Sequence, residues 1–214
     1  MNHAILTDAP RRFPRMLVSL AFVVAAYLLG SVSFAVVTSK AFRLPDPHSY
    51  GSGNPGATNV LRSGNKAAAA LTLLGDGAKG SLAVFLAQTF GPAYGGADWT
   101  VPAVVLAVFV GHLFPVFHRF SGGKGVATAA GIVLALHWPL GLGLVLIWLV
   151  MAYGFKISSL AALTTAALAP LGVFYVLGNV PRTWAMVAVS ALLFWRHRSN
   201  IRQLIEGEER SIGR

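Results

Sequence analysis

Between residues 16 and 195 one apolar stretch follows another, and few charged side chains interrupt them. A bilayer core of about 30 Å is crossed by roughly 20 helical residues, since lipid leaves the backbone to satisfy its own hydrogen bonds. Stretches of that length fill 16–37, 66–90, 100–117 and 158–177, with shorter ones at 139–155 and 183–195. Charged side chains make up 11% of the 214 residues, against about 25% in an ordinary soluble domain. A soluble globular enzyme is thereby excluded. The 23 glycines fit the same picture, because small residues let helices approach closely where lipid removes the hydrophobic drive between them.

The segment 125–153 carries His137-Trp138-Pro139 in its middle, which divides it into two short helices or kinks one long one. Charge placement decides. With two helices the chain has seven transmembrane helices, and its loops fall on alternating sides. One side then holds Lys40, Arg43, Arg62, Lys66, Arg119, Lys124, Lys156 and the five arginines from Arg196 to Arg214, while the other holds Arg182 and the N-terminus. The positive-inside rule places the first set in the cytoplasm. The expectation is an all-α polytopic membrane protein with its N-terminus outside and its C-terminus cytoplasmic. Arg11, Arg12 and Arg15 are discordant with that orientation. The apolar run 16–37 exceeds the 7–15 residues of a cleavable signal's core, so it reads as an uncleaved first helix. The expected organisation is a tail at 1–15, one membrane domain at 16–209 and a tail at 210–214. No internal repeat is visible.

Net charge is +10 and there is no cysteine, which removes disulfides, thiolate nucleophiles and Cys-ligated zinc. In a chain of this class the positive balance points to anionic lipids or anionic substrates, with no nucleic acid. Three polar stretches stand out on the expected cytoplasmic face. The first, GSGNPGATNVLR at 51–62, brings Ser52, Asn54, Thr58, Asn59 and Arg62 together with three glycines. Its bland reading is an interhelical turn with Asn59 as a helix N-cap. The second, GHLFPVFHRFSGGKGVAT at 111–128, ends in Gly122, Gly123, Lys124 and Gly125 at the start of a small-residue helix. Free amides, the positive dipole end and an ammonium then converge, an arrangement suited to phosphate, although the spacing is not that of a Walker A loop. The third, RHRSNIRQLIEGEE at 196–209, places His197 and Asn200 on one helical face. By itself it reads as an amphipathic helix on anionic headgroups.

Asp76 and Lys79 lie one turn apart inside the second apolar stretch, where an ion pair facing the bundle accounts for them. His112 and His118 lack ligand companions, so no metal is expected. His3 and Asp8 form an H-x4-D pair like that of acyl-CoA-type glycerolipid acyltransferases, but far from the other motifs; it reads as chance.

The order and spacing of these stretches, with GDGAKG at 75–80, resemble the bacterial membrane family of acyl-phosphate:glycerol-3-phosphate acyltransferases from Gly30 to Glu209. The resemblance implies seven helices in the bacterial inner membrane, a cytoplasmic active site and no cofactor. It implies transfer of a fatty acyl group from acyl phosphate to the 1-position of glycerol 3-phosphate, giving lysophosphatidic acid and phosphate, with no obligate protein partner. It maps catalytic roles onto Ser52, Arg62, His197 and Asn200, and a phosphate loop onto Gly122, Gly123, Lys124 and Gly125. Asn54, Thr58 and Asn59 are expected among the substrate's phosphate donors, and Asp76, Lys79, His112 and Glu209 as structural support. Gln203 stands where the family usually has a basic residue. The alternatives are a transporter of a phosphorylated small molecule and a lipid-binding scaffold.

The topology is testable in a chain without native cysteine. Cysteines introduced at Ser63 and Ser211 should react with impermeant reagent only from the cytoplasmic side; labelling of either from outside overturns the parity.

Overall fold

The computed structural model describes residues 9–212, with side chains from Pro14 onward; His3 and Asp8 lie outside that range. Ten α-helices follow in order among the described residues, with no strand: α1 (Ala9–Gly30), α2 (Phe34–Ala41), α3 (Ala57–Leu61), α4 (Lys66–Ala93), α5 (Thr100–Leu113), α6 (Val126–Leu136), α7 (Trp138–Phe155), α8 (Ser158–Leu177), α9 (Pro181–Arg196) and α10 (Arg198–Glu206).

Four described helical segments, α4, α5 with its extension to His118, α7 and α8, are long and apolar enough to cross a bilayer. The pair α1 and α2, bent by 42°, brings the number to five. The seven transmembrane helices expected from the sequence are thus only partly matched. The chain does break at His137, whose Nδ1 accepts from the Leu140 amide at 3.3 Å and caps α7. It leaves α6 with only 11 residues, about 16 Å at 1.5 Å per residue. The 16 residues of α9 also fall short of a full span. The first helix starts at Ala9, inside the stretch expected as a tail.

Helix α5 is the centre of the bundle, burying Val104, Val105, Val108, Phe109 and Leu113 against Ile132 and Val133 of α6 and Met186 and Val189 of α9. Without a hydrophobic drive between helices in lipid, close backbone approach is what holds them. Two crossings show it. A Cβ at Gly30 or Gly111 would strike the backbone oxygen of Val108 or Tyr27 where α1 meets α5. One at Gly80 or Gly131 would strike that of Thr128 or Gly77 where α4 meets α6. Ser81 Oγ then donates to Gly131 O at 2.8 Å across the second crossing.

Inside the bundle the turn between α1 and α2 frees backbone groups. Ser33 Oγ caps α2, and the Val32 carbonyl accepts from Lys79 Nζ at 2.7 Å. Lys79 pairs in turn with Asp76 at 2.8 Å, as the sequence predicts, with both side chains at most 4% exposed.

Gly131→Val should force α4 and α6 apart and cost about 1–3 kcal/mol, read as a lowered unfolding temperature in detergent. Gly143→Val, where a Cβ meets nothing within 4 Å, is the control and should leave it unchanged.

Candidate active site

The loop leading into α3 is shaped by Asn59. Its Nδ2 donates to the carbonyls of Pro47 at 2.8 Å and Tyr50 at 3.1 Å, and its Oδ1 accepts from the Ser52 amide at 2.9 Å. The sequence suggested Asn59 as an N-cap or a phosphate donor. Instead Gly56 occupies the cap position, and Asn59 sits inside α3, 1% exposed, with its polar atoms engaged by its own loop. Gly51 and Gly53 have φ of +61° and +66°, the left-handed turns that carry the chain around it. This leaves Ser52 exposed and Asn54 and Thr58 half-buried on the surface of a cleft. Thr58 Oγ1 also lies 3.2 Å from Ser158 Oγ at the start of α8. Arg62 lines the same cleft, with Nη1 3.4 Å from Asn59 Oδ1.

The glycine loop docks on the end of α5. Gly123 donates its amide to His112 O at 3.2 Å, and a Cβ there would meet the His112 ring. One at Gly122 would meet the His112 and Leu113 carbonyls; one at Gly125, at φ +85°, the Phe109 ring. These glycines are therefore required by close packing, and Gly123 turns its amide to α5 rather than to a ligand. Gly122, Lys124 and Gly125 line the cleft with Val126, where the first amides of α6 lack intrahelical acceptors.

Sequence reasoning overlooked Arg196. From the end of α9 its Nε donates to Gly123 O at 3.1 Å and its Nη2 to Gly122 O at 2.6 Å, while its guanidinium lies 6.0 Å above the Phe114 ring. It clamps the loop's carbonyls on one side and so aims the remaining amides toward the cleft. The signal was available in an arginine directly before His197, but only the fold reveals what it reaches.

His197 and Asn200 come together with Lys124 as expected. Lys124 Nζ donates to Asn200 Oδ1, and Asn200 Nδ2 donates to Glu209 Oε1 at 2.7 Å. Ser159 Oγ donates to the same oxygen at 2.7 Å. Glu209 thus braces Asn200 and Ser159, and Asn200 holds the lysine. Burial pushes the Lys124 ammonium below the ordinary lysine range, opposed by the Glu209 carboxylate. His197, 3% exposed, places its Nδ1 2.9 Å from Leu193 O. A carbonyl only accepts, so Nδ1 carries the proton and Nε2 the lone pair. Burial pushes the imidazole down to about 4, with Lys124 and Arg196 adding to the shift and the Leu193 bond opposing it. His197 is neutral at pH 7 and contributes no positive charge toward a phosphate.

Ser52, Asn54, Thr58, Arg62, Lys124, Arg196, His197 and Asn200 line one cleft of about 1310 Å³. Its polar end carries Arg62, Lys66, Lys124, Arg196, Arg198 and Arg210 against Asp76 and Glu209. Its other walls are apolar: Leu73 and Leu74 of α4, Leu134 of α6, Leu144, Val145 and Leu149 of α7, Ala169 of α8. His112, behind the loop, has Nδ1 3.6 Å from Asp76 Oδ1. Among the described residues no group of three or more His, Asp or Glu is placed to hold a metal.

In the detergent-solubilised protein, the NMR signal of His197 should report a neutral imidazole down to about pH 5; protonation near pH 6.5, the value of an imidazole in water, would contradict its burial.

A family model described as glycerol-3-phosphate acyltransferase matches residues 20–207. A glycerol-3-phosphate acyltransferase of Cupriavidus necator is 61% identical over 197 residues, 91% of this chain and 96% of that relative. One from Burkholderia thailandensis is 60% identical over 192 residues, 89% of this chain and 94% of the relative. Among solved structures, PlsY (YgiH), an integral membrane glycerol 3-phosphate acyltransferase in its glycerol 3-phosphate form, superposes with a TM-score of 0.84 at 37% identity. That match covers 91% of this chain and 96% of PlsY, and the lysophosphatidic acid form gives 0.82 at 36% identity over 90% and 94%. The chain belongs to the glycerol-3-phosphate acyltransferase family, as a multi-pass membrane enzyme.

Proposed function

We propose that this chain transfers a fatty acyl group from acyl phosphate to the 1-hydroxyl of glycerol 3-phosphate, at the cytoplasmic face of a bacterial inner membrane, with seven membrane helices forming one domain. One observation carries the reading. A single cleft joins a cationic, hydrogen-bonding end to apolar walls between α4, α6, α7 and α8, the shape needed by a donor with a phosphate head and an acyl tail. Both substrates bear phosphate, so the site must hold two anions close together and offset their repulsion. Arg62, Lys124 and the α6 amides supply that field, with Ser52, Asn54 and Thr58 as neutral donors around it. A transporter of phosphorylated molecules and a lipid-binding scaffold, the alternatives the sequence left open, are disfavoured by the family.

The chemistry needs little from the protein beyond placement. The 1-hydroxyl oxygen attacks the acyl carbon, the bond from that carbon to the phosphate oxygen breaks, and the hydroxyl proton ends on the departing phosphate. His197 Nε2, unprotonated at neutral pH, accepts a hydrogen bond from the hydroxyl and aims it. Lys124 and Arg62 stabilise the charge gathering on the leaving phosphate.

The reading is tested with purified protein, labelled glycerol 3-phosphate and either acyl phosphate or acyl-CoA. Product should form with acyl phosphate; comparable turnover with acyl-CoA, free of acyl-phosphate-forming enzymes, overturns the donor assignment. In the same assay Lys124→Met should weaken apparent affinity for a phosphate substrate about tenfold to a hundredfold, the worth of a charged hydrogen bond.

A further inference from the structure

The chain beyond α10 is held rather than loose. Gly207, at φ +74°, reverses it, with the Gly207 amide donating to Leu204 O at 3.3 Å and the Glu208 amide to Gln203 O at 2.8 Å. Two tethers follow. Glu209 Oε1 accepts from Asn200 and from Ser159, and the Ile212 amide donates to Lys156 O at 2.7 Å in the link between α7 and α8. Residues 208–212 therefore form a strap along the edge of the cleft, where the sequence suggested a separate tail from 210 onward. Glu209, Arg210 and Ile212 all line the cleft.

The other cations of the polar end are largely committed. Lys124 donates to Asn200, Arg196 to Gly122 O and Gly123 O, and Arg198 lies 4.9 Å over the Trp195 ring with Nη1 toward Trp195 O. Lys66 and Arg210 make no hydrogen bond or ion pair among the described residues. Of these two, Arg210 has a tether on each side of it. A guanidinium offers a planar fork of donors that matches phosphate oxygens two at a time. Held at the rim of a cleft that takes two phosphate-bearing substrates, an uncommitted guanidinium has such a group as its natural partner. Arg210 also lies beyond residues 20–207, where the family model matches.

We propose that Arg210 is a further phosphate-binding residue of this enzyme, presented to the cleft by a C-terminal strap tethered at Glu209 and Ile212. The inference rests on the acyltransferase reading above. The phosphate belongs either to the acyl donor or to glycerol 3-phosphate, and kinetics with each substrate varied separately distinguishes them.

Arg210→Gln should raise the KM for one of the two substrates about tenfold, with kcat and the other KM little changed; the KM that moves identifies the phosphate. Arg210→Lys should recover part of the loss, because it keeps charge without the fork. Ile212→Pro, which removes the amide tether but keeps Arg210, should raise the same KM to a lesser degree. Arg202→Gln, on the exposed face of α10, controls for net charge and should change neither KM. Unchanged KM values in Arg210→Gln, or an equal rise in Arg202→Gln, overturn the proposal. If Arg210→Gln fails to fold, a wild-type KM for both substrates in Arg210→Lys and Ile212→Pro overturns it equally. Wild-type turnover run alongside keeps the two readings apart: no transfer by wild type refutes the function, whereas normal transfer with unaltered variants refutes only the strap.

Discussion

The buried Asp76–Lys79 ion pair is the interaction on which the rest of the bundle depends. Two charges removed from water are costly, and the interior repays that only when each finds further partners. Lys79 finds the Val32 carbonyl at 2.7 Å, a group left open where α1 turns into α2. The Asp76 carbonyl accepts from Thr128 Oγ1 of α6 at 3.0 Å, and its carboxylate lies beside His112 of α5. One pair on α4 thus ties down a bend and two neighbouring helices. Removing one partner from such a buried pair would leave an uncompensated charge, a loss of about 3–5 kcal/mol.

The active site is built against that knot. His112 touches Asp76 with its ring and receives the Gly123 amide on its carbonyl, so the polar core and the glycine loop share a residue. Arg196 holds the loop from the other side. Between them the start of α6 has little freedom, and its free amides are oriented before any substrate arrives. Catalysis by placement and electrostatics requires this, since donors that must reorganise during the reaction lose much of their effect. Among the positive groups, Arg196 is spent on the glycine loop, and Lys124 is held through Asn200 and Glu209.

Much of this was legible in the linear chain. Lipid imposes length and apolarity on every spanning helix, so the membrane class, the long helices and the interruption at His137 follow from local pattern. Charges one turn apart in an apolar stretch must pair, and Asp76 and Lys79 do. The motifs containing Ser52, Arg62, Lys124, His197 and Asn200 were each visible as polar islands, and they do line one cleft. Spacing was less informative about α6 and α9, because hydropathy reports that a segment is apolar and not how deeply it reaches.

What the sequence alone determined, then, is whatever depends on periodicity and on the solvent: an all-helical membrane chain whose polar residues gather in a few loops. What only the tertiary structure decided is which atoms those polar residues spend on one another. Asn59, expected among the phosphate donors, spends its amide on its own loop; Gly123, expected in the phosphate loop, gives its N–H to His112; Arg196, singled out for no role, clamps the carbonyls of Gly122 and Gly123. The reason is physical. A polar group's role is set by whichever partner comes within about 3 Å of it, and for Asn59, Gly123 and Arg196 those partners include residues 12, 11 and 74 positions away along the chain.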